Sequence, residues 1–298
     1  MDRALFGSTF STFSVGNFRR ELKPLLMLIS VVITIETDTK LLLARSLGRA
    51  HYAAILKRLS AVDAGLAATI HDSRGVKPLT CSDLLNGTSN RDGTRLRPGK
   101  RYYLRVTGLT EKVSRALLQT LVETPFREIE LDHTLLMVTG TTVDGAEHAW
   151  AGSTTYKALA ARLMAEGGTS FQQMTMQFAS PTSFKQAGRH MPLPLPDLLF
   201  GSLVERWNAF SPLALSPDVR RFAAEMLALT RYRLESRPVV QKEGALRIGG
   251  VGTATYRALG RDRYWLAAMR VLAEFARYSG VGVQTTTGMG QARCLKGS

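Results

Sequence analysis

A glycine-rich segment near the C-terminus has the composition of a phosphate-binding loop. Residues 280–293 read Gly-Val-Gly-Val-Gln-Thr-Thr-Thr-Gly-Met-Gly-Gln-Ala-Arg and contain two Gly-x-Gly pairs, Gly280 with Gly282 and Gly288 with Gly290. Glycine lets backbone N–H groups come close to an anion, so this segment could bind a phosphate. A tight turn that needs positive φ also explains these glycines. A dinucleotide fingerprint is excluded, because a predicted helix precedes the glycines and too few residues follow them to form another.

A histidine followed by two cations is the second feature that could do chemistry. His51 precedes Lys57 and Arg58 by six and seven residues, and a histidine can transfer protons while a cation stabilises negative charge. On a continuous helix the side chains of His51 and Lys57 lie roughly 120° apart, whereas Arg58 shares the face of His51. Spacing alone favours an ordinary half-buried helix histidine. The rival is His71, whose neighbour Asp72 favours a turn residue that hydrogen-bonds locally.

The other histidines and the cysteines predict no metal site. His133, His148 and His190 have no Cys or carboxylate at ligand spacing, and the two cysteines, Cys81 and Cys294, lie far apart in the chain. We therefore expect a reducing compartment, no disulfide framework, no metal and no cofactor.

The charge of the chain indicates an anionic partner. The 298 residues include 39 Lys and Arg against 24 Asp and Glu, a formal net charge of +15. Such an excess attracts nucleic acid or an anionic membrane surface. The alternative is a basic protein that its charge merely keeps in solution. With 45% apolar residues the chain can bury a substantial core, so it is not a disordered polycation.

The elements that position these residues begin with an apolar run over residues 25–35. This run is too short to span a bilayer and is rich in Ile and Val, so we expect a buried strand. The residues before it lack a secretory signal. A helix over 47–61, strands over 78–82 and 101–107, a helix over 111–123 and a strand-rich stretch over 128–143 follow. The order β-α-β-β-α-β is that of a ferredoxin-like unit.

The second half repeats this alternation. The patterns predict the following elements: helices over 156–165, 197–210, 217–229 and 261–278, and strands over 169–179, 231–240 and 245–256, with a proline-marked loop over 181–196. We therefore expect an α+β fold of two tandem ferredoxin-like (RRM-like) βαββαβ domains. Residues 1–26 form an extension to which no role is assigned, 27–147 the N-terminal domain and 148–298 the C-terminal domain with the glycine-rich loop.

An ordered series of short motifs resembles a known family. The series comprises the strand Met27-Leu-Ile-Ser-Val-Val, Gly48-Arg-Ala-His51, His71-Asp-Ser with Lys77-Pro-Leu, Phe178-Ala-Ser-Pro-Thr-Ser-Phe184, Pro192-Leu-Pro, Trp207-Asn and the Gly-x-Gly loop. In this order the motifs resemble the CRISPR-associated endoribonucleases of the Cas-six type, over roughly residues 27–293. The resemblance implies metal-independent cleavage of CRISPR precursor RNA within its repeats, and retention of the processed RNA.

The resemblance also implies roles for individual residues. His51 is the expected general base or acid, and Lys57, or Arg58 in its place, is expected to stabilise the phosphorane. The glycine loop is expected to contact RNA phosphates or to pack against the His51 helix. The residues expected to bind RNA are Lys185, Arg189, Arg231, Arg233, Arg247, Gly280, Gly282, Gly288, Gly290 and Arg293. A solvated surface is the alternative for each cation. No exposed aromatic run lies on a predicted strand, so we expect recognition by backbone and shape.

The expected partners are CRISPR repeat RNA and other CRISPR-associated effector subunits, with no membrane, for a cytoplasmic monomer or homodimer. Two other classes of function stay open. One is a non-catalytic RNA-binding subunit of a CRISPR effector complex, and the other is a ferredoxin-like scaffold whose charge is incidental.

Overall fold

The computed structural model describes residues 27–90, 92–165, 172–240 and 245–295, without the side chains of residues 162–165. The predicted N-terminal extension, 1–26, lies outside these residues. The first half contains these elements: β1 (Met27–Glu36), β2 (Leu41–Leu43), α1 (Gly48–Val62), α2 (Ala64–Asp72), β3 (Leu79–Cys81), β4 (Thr94–Leu96), β5 (Tyr102–Gly108), α3 (Glu111–Leu118), a π-helical turn (Gln119–Glu123), β6 (Glu128–Leu131), β7 (Thr134–Thr142) and β8 (Gly152–Thr155).

The second half contains α4 (Tyr156–Ala165), β9 (Gln173–Thr182), β10 (Phe184–Gln186), β11 (Arg189–Met191), α5 (Pro196–Phe210), α6 (Val219–Met226), β12 (Leu227–Val240), β13 (Leu246–Ala258), α7 (Arg263–Ser279), a short 3-10 turn (Thr285–Thr287) and β14 (Ala292–Leu295).

Two antiparallel sheets with the same strand order form the framework. In the first sheet the order is β3-β5-β1-β7-β6, and in the second it is β12-β13-β9-β14. In both, the first strand of the unit lies between the third and the fourth, which is the ferredoxin-like arrangement. The predicted α+β fold of two such units is confirmed.

Burial explains the strand patterns. β1 is buried along nearly its whole length because α1 and α3 cover one face and the second half of the chain covers part of the other. β9 alternates between buried and half-buried residues because only one of its faces packs on helices. Leu28 and Leu109 belong to the core of the second unit, so the two cores meet.

A buried polar junction also joins the two sheets. Arg105 of β5 donates from Nε to Oε1 of Gln291 at 3.0 Å and from its Nη1 to the carbonyl of Arg277. Gln291 in turn donates from its backbone N–H to Oγ of Ser180 at 2.9 Å and from Nε2 to the carbonyl of Cys81 at 3.3 Å. The two units are therefore tied by hydrogen bonds as well as by apolar contact.

The sequence missed several short elements. These are β2, α2, β4, β8, β14 and the hairpin β10–β11, which lies inside the expected loop 181–196. The predicted helix over 217–229 ends at Met226, where β12 begins. The predicted domain boundary stays a prediction; β8, just beyond it, pairs with β1 of the first sheet. Among the described residues, no helix is both long and apolar enough to cross a bilayer.

Candidate active site and nucleic-acid interface

His51 lies in the first turn of α1 and is fully buried. The buried residues of this helix, Gly48, His51, Ile55 and Leu59, follow helical spacing, so His51 belongs to the stripe that packs on the sheet. Its Nδ1 lies 2.9 Å from the carbonyl oxygen of Ser82, and its Nε2 has no hydrogen-bond partner among the described residues. Burial lowers the pKa of His51 to about 4. The ring is therefore neutral at neutral pH, with its proton on Nδ1.

This burial sets a condition on the expected role of His51. In this structure no atom of His51 is open to solvent, so a phosphodiester could reach Nε2 only after the covering segments had moved. A general base must lie within hydrogen-bond reach of the proton it removes. Proton transfer by His51 therefore stays a prediction, and it requires that movement.

The cations that were paired with His51 lie elsewhere. The helix begins at Gly48 and runs through Lys57 without a break, so the two side chains point in different directions. Lys57 is 83% exposed and lies 3.9 Å from Glu130 of β6. Arg58 donates to the carbonyl of Thr120 at 3.0 Å and stacks on Phe126 at 4.1 Å. The predicted pair of His51 with Lys57 or Arg58 is not brought together.

His71 differs from His51 in that its side chain is exposed to solvent. It lies at the end of α2, and the turn expected around 71–75 begins only after this helix. Lys77 donates from Nζ to the carbonyls of Ile70 and His71, at 2.5 and 2.7 Å, and so caps the helix. The same ammonium lies 5.9 Å from the ring centre of Tyr52, next to His51 in α1. Lys77 therefore connects the end of α2, where His71 lies, with Tyr52 of α1.

The glycine-rich loop has the backbone of a tight turn. Positive φ values occur at Gly280 (61°), Gly282 (71°), Gly288 (102°) and Gly290 (68°), a region that favours glycine. Gln284 adopts the same region at 57°. The alternative explanation of these glycines as a turn is therefore confirmed.

The N–H groups of the four glycines are not available to a phosphate. Gly280 donates to the carbonyl of Ala276, Gly282 to Oγ of Ser202, Gly288 to the carbonyl of Cys81 and Gly290 to the carbonyl of Pro181, at 2.8–3.1 Å. RNA binding by these four glycines stays a prediction, and their N–H groups are occupied within the chain. Sequence alone could not show this, because three of the four acceptors lie far away in the chain.

Instead, the loop packs against the start of α1. A Cβ at Gly48 would lie 2.3 Å from the carbonyl oxygen of Thr287 and 2.6 Å from Cα of Gly288. Gly288 also forms a bridge with Ser82, whose carbonyl contacts His51. The loop therefore packs against the first turn of the His51 helix, which confirms the second expectation for this segment.

Asp83 is a positioning residue that sequence reasoning missed. It follows β3, and both its carboxylate oxygens lie 3.1 Å from the backbone nitrogen of Leu47, immediately before α1. It thereby satisfies an N–H group that the start of α1 would leave unpaired. Its partner Leu47 lies 36 residues away, so no local capping pattern in the sequence indicates this role of Asp83. Burial raises its pKa, against the lowering effect of these hydrogen bonds.

The predicted RNA-binding cations fall into two groups. Arg231 and Arg233 are paired in register with Thr255 and Thr253, and Arg293 with Gln177. Because the alternate residues Ala254, Tyr256 and Ala292 are buried in the core with the helices, these three arginines lie on the face of the second sheet away from the helices.

Lys185, Arg189 and Arg247 form the other group. Lys185 and Arg189 lie on the β10–β11 hairpin, opposite His190 and Gln186. The pKa of His190 is lowered by burial and then by the charges of Arg247 and Lys185, and that of Arg247 by burial and then by Arg49 of α1. This group therefore lies near the start of α1, and the two groups together give the second unit two basic surfaces.

No cluster of three or more His, Cys, Asp and Glu side chains that could hold a metal occurs in the part of the chain that the structure describes. Nothing in the described geometry therefore points to a site for a metal ion.

Comparison with known proteins finds similarity to one family. The family model described as CRISPR-associated endoribonuclease Cas6 matches residues 176–292 of this chain. The Cas6 of Mycobacterium tuberculosis (strain H37Rv) is 31% identical over 125 residues, which are 41% of this chain and 38% of that protein. The Cas6 of Streptococcus thermophilus is 30% identical over 118 residues, 38% of this chain and 46% of that protein. The matched part thus spans less than half the length of these curated relatives.

Solved structures match over a much larger share. Thermus thermophilus Cas6 superposes with a TM-score of 0.69 at 25% identity, over 92% of this chain and 100% of that one. A Cas6 product complex does so with a TM-score of 0.71 at 25% identity, over 91% and 100%. This chain is similar to Cas6 endoribonucleases, in sequence over part of its length and in fold over nine-tenths of it. Within the Cas6 fold, the match to the family model ends at Ala292 and includes the glycine loop.

Proposed function

We propose that this chain is an endoribonuclease of the Cas6 type, which cuts CRISPR repeat RNA without a metal ion. The observation that carries the proposal is the superposition of nine-tenths of the chain on complete Cas6 structures, among them a product complex. The formal charge of +15 supports it, because such a charge favours a nucleic-acid substrate.

The proposed reaction is an attack by the 2′-hydroxyl on the adjacent phosphorus. The 2′-oxygen forms a bond to phosphorus, and the bond to the 5′-oxygen breaks. One product ends in a 2′,3′-cyclic phosphate and the other begins with a 5′-hydroxyl. The protein must remove the proton of the 2′-hydroxyl, protonate the leaving oxygen and stabilise the phosphorane.

We propose His51 as the general base or acid, once the segments that cover it have moved, and Lys57, or Arg58 in its place, as the cation that stabilises the phosphorane. The rival is His71, which is exposed and can meet RNA without any rearrangement of the chain. Lys77 supports the rival, because an ammonium has three donors and two are used on the carbonyls of Ile70 and His71. The third can face the phosphorane.

Cleavage of the repeat RNA of the same genome, in EDTA and without added metal, tests the proposal. The products are expected to carry 5′-hydroxyl and 2′,3′-cyclic phosphate ends. His51→Asn is expected to lower the single-turnover rate about 10²- to 10⁴-fold, the contribution typical of a general acid or base. The variant should keep its fold, because the amide can still donate to the Ser82 carbonyl. His71→Ala should leave the rate unchanged. His133→Asn serves as the matched control, since asparagine tolerates the positive φ of 61° at this exposed turn.

Three outcomes would overturn parts of this proposal. An unchanged rate in a folded His51→Asn protein, with loss of cleavage in His71→Ala, would give the role to His71. Cleavage that EDTA abolishes and magnesium restores would reject the metal-independent mechanism. If the chain binds repeat RNA and retains it without any turnover, it is instead a non-catalytic RNA-binding subunit of an effector complex.

A further inference from the structure

Arg206 of α5 is a buried arginine that contacts the glycine-rich loop. Its side chain donates from Nη1 to Oγ1 of Thr285 at 3.2 Å and from Nη2 to the carbonyl of Gly282 at 2.5 Å. Ser202, one turn earlier in the same helix, accepts the N–H of Gly282 at 2.8 Å. One face of α5 therefore holds the loop at two residues, Gly282 and Thr285.

The burial of this guanidinium is costly and calls for an explanation. Arg206 is 8% exposed, and within the described residues its Nε has no partner and it forms no ion pair. Burial lowers its pKa to about 10, against the raising effect of Glu205. Removing a charge from water costs several kcal/mol unless hydrogen bonds compensate. An apolar side chain would fill the position at lower cost, so packing alone does not account for an arginine here.

The planar fork of arginine explains the choice. Its two Nη groups reach two acceptors that lie three residues apart in the loop, on either side of Val283 and Gln284. A lysine would offer one ammonium on a flexible stem and could not fix both points in the same geometry. Arg206 thus determines the position of one side of the loop.

The other side of the loop lies on α1. Thr285 begins the 3-10 turn that ends at Thr287, whose carbonyl meets Gly48. The next residue, Gly288, donates to the carbonyl of Cys81 at 3.1 Å. Thr287 lies only two residues after Thr285. A shift of Gly282 and Thr285 would therefore also move the contact between Thr287 and the first turn of α1.

We infer that Arg206 is a positioning residue of the proposed RNA-processing site, which holds the glycine loop in register against the start of α1. The inference rests on the proposed function. Because Arg206 is buried, it does not touch RNA itself. Its loss should therefore lower the cleavage rate more than the RNA affinity.

A double-mutant cycle tests this inference. Arg206→Met is expected to lower the single-turnover rate at saturating repeat RNA about tenfold or more, since small misplacements at a reacting centre are costly. The dissociation constant for RNA should stay within about twofold, the signature of a change confined to the catalytic step. Thr285→Val removes only the acceptor of Nη1 and should lower the rate less. The double mutant should be no slower than Arg206→Met alone, because both changes remove the same hydrogen bond.

Two further variants separate positioning from charge and from general folding. Arg206→Lys keeps the charge and should recover only part of the rate. Arg221→Met removes an exposed arginine that pairs with Asp218 and should cleave like the wild type. Hydrogen exchange at the amides of Gly288 and Gly290 should become faster in Arg206→Met, while exchange in β1 stays unchanged.

A wild-type rate in Arg206→Met together with unchanged exchange would overturn the inference, and so would equal losses of rate and affinity. If the wild-type protein fails to cleave repeat RNA, the proposed function fails. Exchange at Gly288 and Gly290 then still decides whether Arg206 positions the loop.

Discussion

The Nδ1 atom of His51 lies 2.9 Å from the carbonyl oxygen of Ser82, in a part of the molecule that is closed to solvent. The carbonyl can only accept, so Nδ1 holds the proton and Nε2 is left without one. Protonation of Nε2 would place a charge in the core. This relationship makes the stability of the protein sensitive to acid.

We expect the free energy of unfolding to fall as the pH is lowered from about 6.5 to about 4. Burial holds the pKa of His51 at about 4 in the folded chain, against an ordinary value of 6.5. Between these two values His51 is protonated in the unfolded chain but not in the folded chain, so protons favour unfolding. The loss is fully expressed below about pH 4, where it reaches on the order of 3 kcal/mol, and it is absent above about pH 6.5.

Urea unfolding of the wild type and of His51→Asn at several pH values measures this effect. The difference in unfolding free energy between the two proteins should shift in favour of the variant as the pH falls through the window. A difference that does not vary with pH would show that His51 does not titrate between these limits.

Gly48→Ala should destabilise the protein although alanine favours helices. The added Cβ would lie 2.3 Å from the carbonyl oxygen of Thr287, so the loop must shift away from α1. Overpacking of this kind typically costs about 1–3 kcal/mol. Thermal unfolding measures the loss, and Gly140→Ala is the control, because a Cβ there meets no atom within 4 Å. Equal melting temperatures for Gly48→Ala and the wild type would contradict the packing described here.

Asp83→Ala should cost about 1–2 kcal/mol, the upper part of the range for loss of a helix cap. The N–H of Leu47 would then lack its acceptor. Asp83→Asn keeps one acceptor oxygen and should lose less. Denaturant unfolding of both variants is the measurement, and a loss in Asp83→Asn as large as that in Asp83→Ala would show that the charge matters more than the hydrogen bond.

The two basic surfaces can be tested separately through the salt dependence of RNA binding. Replacing Arg231 and Arg233 by glutamine, or Lys185 and Arg247 by glutamine, should lower the slope of log K against log salt by about one for each phosphate that is no longer neutralised. Lys112→Gln is the control, since Lys112 is exposed and pairs with Asp63. If replacing a pair leaves the slope unchanged, that pair does not touch the RNA backbone.

The longer helices and strands of this fold could be predicted from the sequence, because their buried residues form recognisable apolar patterns. The apolar run of β1 and the helical spacing in α1 and α7 are examples. Short elements could not: β14 has four residues and is a strand only because β9 lies beside it. α2 depends on Asp63, whose carboxylate accepts the N–H of Leu66 and restarts the chain as a separate helix.

For the site, residue types were easier to predict than exposure. The sequence indicated His51 and His71, but not which of them is buried, because tertiary packing decides the burial of His51. A turn was one of two explanations offered for the glycines, and their positive φ values confirm it. Their acceptors at Pro181, Ser202 and Cys81 are set by tertiary packing, so the sequence alone could not show that their N–H groups are occupied.

The junction of Arg105 with Gln291 bears on how the molecule unfolds. Each half has a complete ferredoxin-like strand order, yet neither half alone would satisfy the buried amide of Gln291 or the guanidinium of Arg105. Separating the halves would also expose Leu28 and Leu109 to water. Although the two halves share one architecture, they should not unfold independently of each other. We expect them to melt together as a single cooperative unit.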